Sequence, residues 1–214
     1  TDAQVDRILD AIDEIGCTDD TFIIYITGDN GASAEGTING AWSAPSFQNG
    51  VHEDPEWLLD HIDDFGTRHC ENHFNVGWAW ALDTPFKWMK QVASHFGGTR
   101  NAMVMSWPAG IHQSDELRNQ FHHVIDIGPT ILEAAGIQWP DSVNGIKQDP
   151  IDGVSMQYLF DNPSEKSHRQ TQYFEILGNR AIYHEGWIAS CFHGRLPWIQ
   201  LQGLEFDGDQ EIWE

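Results

Sequence analysis

The chain has 214 residues, with 33 Asp and Glu against 11 Lys and Arg, a formal net charge of −22. That balance argues against nucleic acid and anionic membranes as partners, because both need clustered cations. An apolar fraction of 40% and an aromatic fraction of 12% exclude a disordered acidic chain, and no run approaches the ~18 apolar residues of a membrane span.

In chain order, Val5, Ile8, Leu9, Ile12 and Ile15 recur at helical spacing, with Asp2 as the expected N-cap. The run Thr21-Phe22-Ile23-Ile24-Tyr25-Ile26 is apolar on both faces, as expected of a central parallel strand. It leads into the polar turn Thr27-Gly28-Asp29-Asn30-Gly31, at the strand end where open α/β sheets place ligands. From residue 32 to 78 periodicity fades, and a structureless stretch of that length points to function or to packing on further parts. Residues 85–95 read as a short helix stopped by Gly97-Gly98. Residues 102–105 and 121–125 read as strands. Pro129 and Gly136 bracket a helix in the usual order, with Ile127, Ile131, Leu132 and Ala135 on one face. Runs at 171–176, 180–183 and 187–190 read as an antiparallel meander, with His184-Glu185-Gly186 as a hairpin connection.

The acids are unevenly spread. Residues 1–74 carry 16 against 2 bases (−14), residues 75–150 come to −2, and residues 151–214 to −6. Most of the excess reads as a solvated face. Cys17, Cys70 and Cys191 are far apart and form no CxxC pair. His69, Cys70 and His73 do not match the spacing of a standard zinc site. Neither GxGxxG, GxxxxGK[ST] nor GxSxG occurs. Both ends of the chain read as cut, which suggests a piece of a longer protein.

Three sites carry chemistry. Asp29 and Asn30 put two hard oxygen donors side by side, a pairing suited to Ca²⁺ or Mg²⁺ and equally to a plain turn. Lys90 could hold an anionic oxygen. His95, ahead of Gly97-Gly98, could titrate near neutral pH.

In order along the chain, Gly28-Asp29-Asn30-Gly31, Thr84-Pro85-Phe86-Lys87-x-x-Lys90, His95-Phe96-Gly97-Gly98-Thr99-Arg100, Trp107-Pro108-Ala109-Gly110-Ile111, Asp126 to Glu133, Asp152-Gly153-Val154-Ser155 and Gly178 to Ile182 resemble the carboxyl-terminal half of arylsulfatases. These are the type I sulfatases of the alkaline phosphatase superfamily. The resemblance implies a partial alkaline-phosphatase-like α/β fold over residues 1–165. The start of a small antiparallel subdomain would occupy residues 166–214. It implies Asp29 and Asn30 as two ligands of an active-site Ca²⁺ or Mg²⁺, and Lys90 as a catalytic residue on the sulfate; His95 receives no role. The implied reaction is hydrolysis of a small sulfated substrate. In such enzymes the nucleophile is a formylglycine made from a C/S-x-P-x-R motif.

That motif is absent. Ser43 and Ser106 have Pro45 and Pro108 two residues on, but Phe47 and Gly110 stand where Arg is needed. The nucleophile, the remaining metal carboxylates and the leaving-group acid are therefore expected upstream, and the 214-residue chain by itself is expected to be inactive. A phosphodiesterase or phosphonate monoester hydrolase of the same superfamily, and a non-catalytic metal-organised binding protein, stay open as alternatives. So do a cytoplasmic or periplasmic location and the oligomeric state.

Overall fold

A computed structural model describes residues 1–113, 116–194, 196–199, 209 and 211–214. Short helices and small antiparallel sheets are gathered in two compact units. The first comprises Thr1–Ile26 and Met103–Gln172, the second Thr27–Ala102 and Tyr173–Glu214.

In the first unit, α1 (Asp2–Glu14) forms as its periodicity predicts, but Thr1 rather than Asp2 stands at the N-cap. Its apolar stripe stays open: Ile8 is 62% exposed and no residue of the helix is buried. The strand at 21–26 shortens to β1 (Ile23–Ile26) and pairs antiparallel with β2 (Met103–Ser106), Ile23 opposite Ser106. This corrects the expectation of a central parallel strand. β1 and β2 make a two-stranded sheet, so their continuous apolar character is only partly covered, and Val104 is 63% exposed. Phe22 packs against Trp107 and Phe160, with ring centroids 5.5 Å away in each case.

The strand expected at 121–125 does not form; Val124–Asp126 is a 3-10 turn. Reciprocal capping favours it: Ile125 N–H donates to His123 Nδ1 and His123 N–H to Asp126 Oδ2, local bonds that an extended strand cannot make. Helix α6 (Ile127–Ala134) follows, then a two-residue antiparallel pair, β3 (Ser142–Val143) and β4 (Ile146–Lys147). The one buried residue of α6 is Thr130, not the expected apolar face; Ile131 is 47% exposed. The Thr130 hydroxyl donates to Asp126 O (2.6 Å) and accepts from Met156 N–H (2.9 Å), which satisfies a polar group inside the unit.

The second unit holds the stretch from 32 to 78. That stretch contains two short helices, α2 (Ala44–Gln48) and α3 (Pro55–Asp60), a 3-10 turn at Ile62–Asp64 and the start of a third helix, α4 (Val76–Asp83). Asp54 caps α3 ahead of Pro55, and Asn75 caps α4, both good N-terminal signals. The helices are too short for periodicity to show, which is why this region read as featureless. The helix expected at 85–95 is absent. Trp88 (φ 65°) and Gln91 (φ 78°) lie in the left-handed region, which no right-handed helix admits. Gly97 and Gly98 instead lie within a single helical turn, α5 (Phe96–Thr99). The meander forms as read: β5 (Thr171–Ile176), β6 (Asn179–His184) and β7 (Trp187–Phe192), joined by β8 (Ile212–Trp213) in the order β5-β6-β7-β8. Glu185 and Gly186, both at positive φ, turn the β6–β7 hairpin.

Candidate functional site

The site residues named from the sequence come together in the second unit. The turn after Thr27 is held by backbone bonds to the glycine segment and to the Lys90 loop. Gly31 N–H donates to Gly98 O (3.1 Å), and Lys90 N–H donates to Ala32 O (3.1 Å). A Cβ on Gly31 would stand 1.6 Å from Gly97 O, so only glycine permits this approach. With its amide turned to suit its neighbours, Asn101 donates to Asn30 O (2.8 Å) and accepts from Asn30 N–H (3.1 Å). Asp29, Asn30, Lys90 and the Gly-Gly segment thus share one scaffold, although 59 residues separate Gly31 from Lys90 in sequence.

Asp29 is exposed, and its Oδ1 accepts from Asn30 Nδ2 at 2.9 Å. In this pose the Asn30 amide offers its nitrogen toward the carboxylate. Rotating the amide would present a second oxygen beside the first. Two adjacent hard oxygens fit part of the shell of Ca²⁺, which takes ~6–8 oxygen ligands, or of Mg²⁺. Among the described residues no group of three or more His, Cys, Asp or Glu could hold a metal. The pair alone offers too few oxygens to complete such a shell.

The Lys90 ammonium lies 3.2 Å from Glu35 Oε2, and Gln91 Nε2 donates to Glu35 Oε1 at 2.6 Å. Burial alone would raise the Glu35 pKa. The bonds from Gln91 and Lys90 outweigh it and hold the carboxyl below its ordinary value. Glu35 and Gln91 escaped the sequence reading because Glu35 lies in the stretch without periodicity; the only signal was a lone acid five residues past Asn30.

His95 is buried, with Nδ1 2.8 Å from Ser94 Oγ and Nε2 3.4 Å from Glu214 Oε2. Burial pushes its pKa below the ordinary value, against the pull of Glu214. Glu214 also takes Lys87 Nζ at 2.6 Å. Lys87, His95 and Glu214 border a cavity of about 250 Å³ whose apolar walls include Pro85, Phe86, Phe96 and Ile188.

Asp83 holds the other side of the turn, its Oδ1 accepting from Ala32 N–H at 2.9 Å. Burial raises its pKa above the ordinary value. His69, Cys70 and His73 are each engaged separately. His69 Nε2 meets Arg68 Nε, Cys70 Sγ meets Trp42 O, and His73 Nε2 lies 2.9 Å from Ser33 Oγ.

Comparison with known proteins matches residues 1–137 to the family model described as Sulfatase. The chain is 30% identical over 139 residues to an uncharacterized sulfatase of Schizosaccharomyces pombe. That alignment covers 65% of this chain and 24% of the relative, so the chain spans about a quarter of the relative's length.

Proposed function

Because the chain belongs to the sulfatase family, we propose that the protein carrying it hydrolyses sulfate monoesters on a partial alkaline-phosphatase-like α/β scaffold. The observation that carries this reading is the backbone lattice joining the Asp29–Gly31 turn, the Lys90 loop and Gly98. It holds paired hard oxygens and a cationic side chain on one support, as a divalent metal and a sulfate would require.

In this reading Asp29 and Asn30 supply two ligands to a Ca²⁺ or Mg²⁺, with the rest of the shell coming from residues outside this chain. The ion's contribution would be Lewis-acid polarisation of the sulfuryl oxygens. Lys90 would hold a sulfate oxygen and offset the negative charge on it, a compact point charge suited to that task. The nucleophile, a formylglycine by resemblance, and the leaving-group acid would also come from outside these 214 residues. The isolated chain is therefore expected to be inactive and to bind Ca²⁺ weakly.

The test is turnover of p-nitrophenyl sulfate by the full-length protein, beside a phosphonate monoester and a phosphodiester. The aryl sulfate is expected to be the best substrate, and Lys90→Ala to cost ~10²–10³-fold in kcat. Faster turnover of the phosphorus esters would assign the chain to the other hydrolases of the superfamily. Full activity in a folded Lys90→Ala protein would remove Lys90 from the chemistry.

A further inference from the structure

Glu35 has the place of a group that aims Lys90. It is fixed from several directions. Its own N–H donates to Ser33 Oγ at 3.3 Å, and that hydroxyl lies 2.9 Å from His73 Nε2. The next residue, Gly36, runs so close to the 73–74 segment that a Cβ there would stand 2.1 Å from Phe74 O. The carboxylate is therefore delivered by backbone that has little room to shift. Its two oxygens are divided: Oε1 takes the Gln91 amide, leaving Oε2 to the Lys90 ammonium.

Lys90 is tied to the same segment by its main chain, through the bond to Ala32 O. A lysine side chain has a flexible four-carbon stem, so a fixed backbone alone does not fix the ammonium. A carboxylate held on a stiff support does. An ammonium carries three donors, so one engaged by Glu35 still leaves capacity for an anionic oxygen. The Lys90 and Glu35 side chains are 35% and 28% exposed, open enough for an anion to reach the same nitrogen.

We infer that Glu35 is a positioning residue for Lys90, holding its ammonium where the oxyanion of a sulfate ester binds. The inference rests on the reading of Lys90 as the sulfate-contacting cation.

The experiment uses the full-length protein with Glu35→Ala, Glu35→Gln, Lys90→Ala and the Glu35→Ala/Lys90→Ala double variant. The readouts are kcat/KM for p-nitrophenyl sulfate, the inhibition constant of inorganic sulfate, and thermal melting. Glu35→Ala is expected to lower kcat/KM by ~100-fold, the scale of a misplaced reacting group, and to raise the sulfate inhibition constant. Glu35→Gln keeps an acceptor oxygen and is expected to recover part of the loss, which also covers the case in which Glu35→Ala folds poorly. The double variant is expected to be no worse than Lys90→Ala. Additive losses, or a Glu35→Ala protein with unchanged sulfate inhibition, would overturn the positioning role while leaving the Lys90 reading intact. An inert Lys90→Ala substitution would instead overturn the Lys90 reading, and this inference with it.

Discussion

Asp126 in the first unit and Glu35 in the second are both carboxylates paired with a cation, yet their surroundings differ at every point. Asp126 is fully buried, and its oxygens accept from the Arg169 guanidinium through Nε and Nη2, from His123 N–H and from Val154 N–H. Arg169 is itself 8% exposed and also donates to Asp152 O. Burial would raise the Asp126 pKa, but the nearby His122 imidazole (Nδ1 3.8 Å from Oδ2), the Arg169 guanidinium and the two backbone N–H donors overcome it and hold the carboxyl far below the usual carboxylate range. Glu35 is part-exposed and meets two long side chains, Lys90 and Gln91. A closed, fully satisfied pair fixes local structure and has no capacity left for a ligand; a half-open pair stabilises little and keeps the cation reachable.

That contrast is exposed to test, beginning with the largest effect. Asp126→Asn leaves the Arg169 guanidinium buried against a neutral partner, and we expect it to cost ~3–5 kcal/mol of stability in urea unfolding. The same group sets an acid limit. Its folded pKa lies below the unfolded value of ~3.9, so its contribution is complete above that pH and fades as pH falls further. Acid unfolding that is unchanged in Asp126→Asn would contradict this. Next, Gly31→Ala drives a methyl into Gly97 O, and a loss of ~1–3 kcal/mol is expected from the forced displacement, read as a lowered melting temperature. Glu35→Gln, by contrast, is expected to change stability by under ~1 kcal/mol, because a half-exposed pair is screened by solvent. A loss as large as that of Asp126→Asn would erase the distinction between the two carboxylates.

The smallest effect concerns His95. Burial depresses its folded pKa below the unfolded value of ~6.5, so neutral His95 is tolerated and charging it is disfavoured. Stability is then expected to be full above that value and to decline as pH falls through the folded one. Urea midpoints at about pH 8 and about pH 5.5 are expected to converge in His95→Gln; a gap of unchanged size would assign the pH dependence to other groups.

Part of the candidate site was legible because its residues stand out from their immediate neighbours, as Asp29-Asn30 does between glycines and Lys90 ahead of a Gly-Gly segment. Glu35, Gln91, Asp83 and Asn101 were not legible, since each acts through a neighbour far along the chain, as Asp83 does on Ala32. Helix α6 and the β5–β7 meander followed from period and turn chemistry, whereas 121–125 was misread as a strand because its capping partner, Asp126, lies beyond the apolar run. The sequence by itself determined the acidic balance, the absence of the C/S-x-P-x-R motif and the order of segments that marks a sulfatase. Tertiary structure alone decided that β1 pairs antiparallel with β2, that Gly31 meets Gly97-Gly98, and that Lys90 is held by Glu35. The physical reason is range: propensity and capping act over a few residues, while sheet pairing, glycine packing and ion pairing are settled between segments that meet only when the chain folds.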